Sequence, residues 1–307
     1  MDLSSFSIGN AAGRVKRPGS DYDDLMRSAA TEVTLGSLCL LRRHGNLGDT
    51  YWFDQETRTS WNSKGLPSPP IEETLAFLPC MKVQAESAKK TLVANFAGFS
   101  PTENATLLER LAPYSHVQEW NGGCGNVWGT EGQKPIPVYL PELFAANLAE
   151  LARVARTRSV RCRVKVGVYD LDNPDEEKLL TEIAWSIARA GFVNEIVVGN
   201  TRINQDPKRT DGAHALNFRE AEGGEVRHVG GMGGRGVKSY TLPAVKAFRS
   251  LLPKDTRIVA CGGIFEGSDL IEYAEAGATG FQIGTAYFES TPKIFSEVLQ
   301  QAGELLG

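Results

Sequence analysis

The sequence predicts an α/β fold in which eight parallel strands alternate with helices and close into a (β/α)8 TIM barrel. Two observations lead to this prediction: eight short runs rich in β-branched and aromatic residues, and amphipathic helical patterns between them. Strands that alternate with helices form a parallel sheet, because each helix returns the chain to the same edge. An open doubly wound sheet is the alternative, although no G-x-G-x-x-G follows the first strand.

The strands and helices can be placed along the chain from these patterns. The predicted strands are residues 6–10, 32–37, 92–97, 117–120, 162–166, 195–199, 257–260 and 279–283. The predicted helices include residues 22–30, 103–111, 140–157, 176–190, 242–251 and 268–276. Gly191 and Gly277 directly follow two of these helices, where glycine commonly ends a helix because it tolerates positive φ.

Two segments interrupt the alternation. Residues 40–70 and 202–230 are rich in polar and turn residues. We expect them to form an inserted hairpin and loop at the C-terminal face of the barrel, where long insertions often cover a binding site. No linker or repeat divides the chain, so residues 1–307 are expected to form a single domain.

The composition excludes several function classes. A net charge of −4 without long Lys/Arg runs gives no reason to expect a nucleic-acid partner. The first residues lack a signal-peptide pattern, and no run of about 18 apolar residues suggests a membrane span. The five cysteines are dispersed without a C-x-x-C pair, which favours reduced thiols and no metal site. The sequence therefore predicts a cytoplasmic protein in which Cys39, Cys80, Cys162 and Cys261 are buried and have no role.

Three glycine clusters follow the later strands. They are residues 230–234, Gly262-Gly263 and Gly284 with Thr285. Glycines at the ends of the seventh and eighth barrel strands expose backbone N–H groups, and this is where such barrels usually hold phosphate. A phosphate-bearing ligand is therefore favoured over plain turns, which also need glycine.

The candidate chemistry is concentrated in the loop of residues 121–126. Cys124 is the natural acid/base or nucleophile, and Asn121 and Asn126 can each donate to and accept from a planar ring. A glycine-rich turn with a buried cysteine is the alternative interpretation. Lys165 lies within a strand pattern, where it either faces a group that becomes anionic or is a solvated edge lysine. Asn200 and Thr201 end the sixth strand on the same rim.

These residues together resemble the dihydroorotate dehydrogenases, FMN-dependent enzymes with a (β/α)8 fold. The resemblance covers essentially the whole chain. Its most specific parts are residues 229–234, 261–264 and 276–286, which look like the family's FMN-phosphate region. The Asn-x-x-Cys-x-Asn of residues 121–126 resembles the active loop of the class 1A branch, and residues 61–67 resemble a substrate-contacting element.

The resemblance implies an enzyme that oxidises (S)-dihydroorotate to orotate in pyrimidine biosynthesis, with FMN as cofactor and fumarate as acceptor. It also implies a homodimer. Cys124 would be the catalytic base, and Lys165 would contact the flavin. The implied substrate-binding residues are Asn62, Lys64, Gly65, Leu66, Asn121, Asn126, Asn200 and Thr201. The implied FMN-binding residues are Ala11, Ala12, Gly13, Ser37, Asn95, Lys165, Gly231, Gly262, Gly263, Gly284 and Thr285.

Two departures from the family pattern bear on the substrate. Family members usually carry a lysine where this chain has Gly36, and we hypothesise that Lys64 supplies the lost charge. Gly123 and Gly125 stand where the family tends to have serine and proline, which predicts a looser loop. A related flavin enzyme acting on a different cyclic amide or enoate is therefore one alternative. A flavin-free phosphate-binding lyase or isomerase and a flavin-binding protein without catalysis are the others.

Overall fold

The computed structural model describes residues 5–129, 132–158, 160–221 and 223–307. Their strands, in chain order, are β1 (Ser7–Asn10), β2 (Glu32–Leu38), β3 (Asn46–Asp49), β4 (Tyr51–Asp54), β5 (Thr59–Asn62), β6 (Thr91–Phe96), β7 (Val117–Asn121), β8 (Trp128–Gly129), β9 (Gly132–Gln133), β10 (Cys162–Lys165), β11 (Val193–Val198), β12 (Arg202–Gln205), β13 (Asn217–Glu220), β14 (Gly230–Gly234), β15 (Arg257–Ala260) and β16 (Gly280–Ile283). The α-helices are α1 (Ser20–Arg27), α2 (Ile71–Ser87), α3 (Pro101–Leu111), α4 (Pro141–Thr157), α5 (Pro174–Ala190), α6 (Lys238–Leu251), α7 (Gly267–Glu275), α8 (Thr285–Glu289) and α9 (Lys293–Leu306).

Eight of the strands form a closed parallel barrel in the order β1-β16-β15-β11-β10-β7-β6-β2. The predicted TIM barrel is therefore confirmed, and each predicted strand is one of the barrel strands. Their outward residues are apolar and pack on the helices, as Val164 and Ile196 do. Helix α5 shows how the ends are defined: the Asn173 side chain accepts from the Asp175 N–H, and Gly191 at φ 69° closes the helix.

Two of the longer helices lie outside the sequence prediction. Helix α2 buries Ile71, Thr74, Leu78, Met81 and Ala85 at helical spacing, although Pro79 lies within it. Helix α9 packs closely on α7 and buries four apolar residues. The amphipathic periodicity is strong in the sequence of α9 and weak in that of α2, so only α9 carried a clear helical pattern.

The two inserted segments form small antiparallel sheets beyond the barrel. Strands β4 and β5 make the predicted hairpin, and β5 also pairs with β14, which in turn pairs with β12. Strand β3 pairs with β13. Residues paired between β5 and β14, such as Asn62 and Gly231, are far apart in sequence, yet they build one structure. They follow β2 and β11, so they extend the C-terminal face of the barrel.

The barrel interior contains a buried ion cluster. Arg163 in β10 is fully buried between three carboxylates from three other strands: Glu32, Glu119 and Glu195. Its guanidinium Nη1 is 2.8 Å from Glu32 Oε2 and its Nε is 2.9 Å from Glu195 Oε2. Lys165 is two residues further along β10, so its side chain points to the same interior side, one layer closer to the C-terminal face.

No helix among the described residues is long and apolar enough to cross a membrane. The described part of the chain also has no cluster of three or more His, Cys, Asp or Glu residues that could hold a metal ion.

Candidate active site

A large cavity opens at the C-terminal ends of the barrel strands. Its empty volume is about 1160 Å³, including its open mouth. The segments that follow β1, β7, β11, β15 and β16 line it, together with residues of β2, β5, β10 and β14 and the loop of residues 64–67. This is the end at which parallel-barrel proteins bind ligands, since the loops there converge from every strand.

All of the predicted site residues except Asn95 and Gly231 line this cavity. Asn95 is buried beneath it, and its Nδ2 donates to Glu119 Oε1 at 2.6 Å. Gly231 is in β14, and a Cβ there would lie 2.1 Å from Thr201 Oγ1. Gly231 lies directly behind the lining residue Thr201. Asn95 contacts Glu119, which in turn accepts from the lining residue Gln282.

Cys124 lies in the wall between two cavities. It lines the large cavity, and with Asn121 and Leu66 it also lines a second one that extends towards Lys134 and Asn147. Burial raises the pKa of the Cys124 thiol, while a hydrogen bond from the Asn126 backbone and the nearby cations Lys16 and Arg43 act in the opposite direction. The thiol is therefore the stable form near neutral pH, and neighbouring cations favour its deprotonation.

The active loop is tightly packed, contrary to the looser loop expected from its glycines. Gly122, Gly123 and Gly125 are all buried. A Cβ at Gly125 would lie 2.4 Å from Ile203 Cγ2, and one at Gly123 would lie 2.8 Å from Asn200 Nδ2. The glycines here allow neighbouring side chains to approach the backbone closely, so the loop that carries Cys124 is held on both sides.

Four carboxamides are joined in two sets across the cavity. Asn121 donates to Ser37 Oγ at 3.0 Å and accepts from Asn200 Nδ2 at 3.0 Å. Asn126 donates to Asn62 Oδ1 at 2.9 Å. These bonds orient donors and acceptors contributed by four separate segments, which is the pattern needed to recognise a flat ring with C=O and N–H groups.

Lys165 is buried, and the alternative of a solvated edge lysine is wrong. Its Nζ donates to Gln282 Oε1 at 2.8 Å and is 3.3 Å from Cys261 Sγ. Gln282 in turn donates to Glu119 Oε2 at 2.7 Å. The ammonium is thus fixed at the cavity floor, where it can stabilise negative charge on a bound molecule.

Glycines form one side of the cavity. Gly262 and Gly263 have positive φ of 154° and 66°, and a Cβ at Gly263 would lie 2.6 Å from Lys238 Cβ. Among the described residues their N–H groups have no protein acceptor. Gly233, Gly234 and Gly284 line the same side. This surface presents backbone donors without side chains, which suits a phosphate group.

Several lining residues carried no clear signal in the sequence. Cys261, expected to have no role, lines the cavity beside Lys165, and Cys80 is exposed rather than buried. Lys16 also lines the cavity, and burial lowers the pKa of its ammonium to about 8. A cation a few residues after the end of the first strand was the available signal for Lys16. The other unpredicted lining residues include Tyr51, Ser60, Pro67, Val237, Ile264, Phe265, Gln282 and Phe288.

Comparison with known proteins identifies the family. A family model described as dihydroorotate dehydrogenase matches residues 5–306. The chain belongs to the dihydroorotate dehydrogenase family. It is 30% identical over 301 residues to dihydroorotate dehydrogenase A (fumarate) of Lactococcus lactis subsp. cremoris, covering 97% of this chain and 89% of that protein.

More distant members of the dihydroorotate dehydrogenase family also match over nearly the whole chain. The catalytic subunit of dihydroorotate dehydrogenase B (NAD(+)) from Methanocaldococcus jannaschii is 24% identical, covering 95% of this chain and 86% of that protein. A crystal structure of the Eimeria tenella dihydroorotate dehydrogenase with ferulenol superposes with a TM-score of 0.78 at 16% identity, covering 97% of this chain and 81% of that chain. The last comparison supports the fold.

Proposed function

We propose that this protein is an FMN-dependent dehydrogenase that oxidises (S)-dihydroorotate to orotate, with fumarate as the second substrate. The observation that carries the proposal is that Cys124, the paired carboxamides and Lys165 all line one cavity. The relatives named for fumarate support the choice of acceptor. A homodimer in the cytoplasm serving pyrimidine biosynthesis belongs to the same proposal, as the family branch implies.

The residues present fit FMN. The surface of Gly262 and Gly263 would hold the phosphate, because among the described residues their N–H groups have no protein acceptor. Gly233 and Gly234 line the same cavity. Ala11, Ala12, Gly13 and Ser37 would border the flavin, with Lys165 beneath it. FMN, when bound, supplies the acceptor for the two electrons that leave the substrate.

The protein's own residues account for the proton and for orientation. Cys124, as the thiolate, takes the proton from C5 of dihydroorotate while the C6–H bond breaks with its electron pair, leaving the C5=C6 bond of orotate. Asn62, Asn121, Asn126 and Asn200 hold the ring so that both bonds are aligned with their acceptors. Lys165 stabilises the negative charge that develops at the cavity floor when the electrons leave the substrate.

One observation favours a second candidate, a dehydrogenase of a different cyclic amide or enoate. Position 36 carries no side chain, and a Cβ there would lie 2.2 Å from the Asn95 carbonyl oxygen. The lysine that family members usually carry at this position is therefore incompatible with the present backbone. A substrate without a carboxylate would not need it.

The test is anaerobic reduction of the purified protein. We expect a yellow protein that contains FMN, is bleached by dihydroorotate and recovers its colour when fumarate is added. Bleaching by dihydrouracil, a neutral dihydropyrimidine, without bleaching by dihydroorotate would support the second candidate. A colourless protein that does not take up added FMN would contradict both.

A further inference from the structure

The cavity has an excess of positive charge. Lys16, Lys64 and Lys165 line it, and its described lining contains no Asp or Glu. Lys165 is already held by Gln282 and Cys261 at the floor. A cavity with one buried and one half-buried ammonium group and no carboxylate in its described lining is suited to an anionic ligand, because an ammonium removed from water needs an opposite charge.

Lys16 is the lysine beside the reactive loop. The charged or titratable groups around it are the thiols of Cys39 and Cys124 and the ammonium of Lys64. Its pKa is lowered to about 8, chiefly by burial. Its Nζ donates to the Pro67 carbonyl oxygen, the one protein acceptor it has among the described residues. An ammonium has three N–H donors, so two remain for a ligand.

Lys64 has a different environment. The residue is exposed at the cavity rim, although partial desolvation of its ammonium, and then the nearby Arg14, lower its pKa. Its Nζ lies 5.1 Å from the centre of the Tyr51 ring and 5.8 Å from that of Phe288. These aromatic faces already attract the ammonium. Lys64 therefore has less need of an anion than Lys16, which is further inside and next to Cys124.

The backbone brings Lys16 close to the position that lacks a side chain. The Gly13 N–H donates to the Gly36 carbonyl oxygen at 2.6 Å, and the Gly36 N–H donates to the Val15 carbonyl oxygen at 2.9 Å. Gly36 has φ 111° and no room for a Cβ. The segment after β1 is thus tied to the end of β2, and Lys16 follows directly after this connection.

We propose that Lys16 binds the carboxylate of the substrate and makes this cavity selective for an acidic ring over a neutral one. This inference rests on the proposed function. Lys16, in the segment after β1, would provide the positive charge that β2 lacks because position 36 is a glycine. The carboxylate would lie between the two free N–H groups of Lys16 and the loop of residues 64–67, whose Pro67 carbonyl already fixes the ammonium.

A purely structural role makes a different prediction. If Lys16 only ties down the loop through Pro67, its removal would weaken every ring ligand equally. Orotate and its methyl ester separate the two roles, because the ester keeps the same ring but carries no negative charge on its carboxyl group. Their dissociation constants can be measured on the FMN-loaded protein from the change in flavin absorption on titration, without turnover.

The experiment compares Lys16→Met with two other lysine variants. Lys16→Met should weaken orotate binding about 10- to 100-fold and leave ester binding and FMN content nearly unchanged, because a charge-assisted hydrogen bond is lost. Lys64→Met, at the rim, should have a smaller effect on orotate. Lys246→Met, on the exposed face of α6, should change neither constant.

Three results would overturn the inference. Equal weakening of orotate and ester in Lys16→Met would assign Lys16 a structural role. An unchanged preference for orotate would show that its charge is not used, and loss of that preference in Lys64→Met alone would assign the role to Lys64. If the unmodified protein takes up FMN but binds no orotate, the proposed function itself fails.

Discussion

Lys165 Nζ is 2.8 Å from Gln282 Oε1, and this one amide joins the cavity to the charged interior of the barrel. The other end of the Gln282 amide donates to Glu119, whose carboxylate also lies 3.5 Å from Arg163 Nη1. The ammonium at the cavity floor is therefore positioned by a chain of buried polar contacts. Such chains hold a side chain in one arrangement, provided that every member is paired.

Replacing Gln282 should impair the reaction through Lys165. Gln282→Leu removes the acceptor of the ammonium and the donor to Glu119, so Lys165 is no longer held in position at the cavity floor. We expect the flavin to be retained and its reduction by dihydroorotate to slow about 10-fold or more in anaerobic stopped-flow measurements, as for other misplaced catalytic groups. Gln300→Leu, at an exposed position of α9, is the control, and an unchanged rate in Gln282→Leu would refute the positioning role.

Removing Arg163 should destabilise the barrel. Arg163→Met leaves Glu32, Glu119 and Glu195 buried without their shared cation. Breaking a buried ion pair from one side typically costs about 3–5 kcal/mol, so urea unfolding should show a loss of this order. Arg153→Met, whose side chain is 65% exposed, should change the unfolding free energy by well under about 1 kcal/mol. Equal effects of the two variants would show that the cluster contributes little.

The same cluster predicts a dependence of stability on pH. Burial alone would raise the pKa of Glu32, but the adjacent Arg163, together with Arg257 and Arg161, outweighs burial, and the net effect is a lowered pKa. A carboxylate with a lowered folded-state pKa stabilises the fold above its unfolded pKa of about 4.3, and this contribution is lost as the pH falls further. The unfolding free energy, measured from neutral to acidic pH, should therefore decrease below about pH 4.3. This decrease should be less steep in Glu32→Gln than in the unmodified protein. Parallel curves would contradict this assignment.

The packing of the active loop can be tested with two glycine variants. In Gly125→Ala the new methyl group would lie 2.4 Å from Ile203 Cγ2, and we expect a loss of about 1–3 kcal/mol with slower flavin reduction. Gly303→Ala, within α9 where nothing lies within 4 Å of the new Cβ, should instead stabilise the protein by about 0.5–1 kcal/mol. Thermal unfolding of both variants provides the comparison. A neutral Gly125→Ala would mean that the loop is loose after all.

The sequence predicted the barrel well because its signals are local. Each barrel strand is a short apolar run such as Glu195-Ile-Val-Val, and each run lies between turn residues and an amphipathic helix. The active loop and Lys165 could be found for a similar reason, since a lysine or a thiol among glycines departs visibly from its surroundings. The resemblance then placed most of the cavity wall.

The remaining features depend on contacts between distant segments. Strand β14 consists of four glycines and Met232, so it has little strand propensity, and its pairing with β5 and β12 makes it a strand. Gln282 looks like any polar strand residue until the closed barrel brings it to Lys165. Lys16 is unremarkable in sequence because its burial depends on the bonds between its segment and Gly36.

The most direct test of the account is the rate at which dihydroorotate bleaches the bound flavin near neutral pH, in the unmodified protein and in Cys124→Ser. A serine hydroxyl is a far weaker acid than a thiol, so it cannot be present as the anion that accepts the C5 proton. We predict bleaching about 100-fold slower or more in Cys124→Ser, with FMN content and orotate binding preserved. Bleaching at a comparable rate in the two proteins would contradict the assignment of Cys124 as the base.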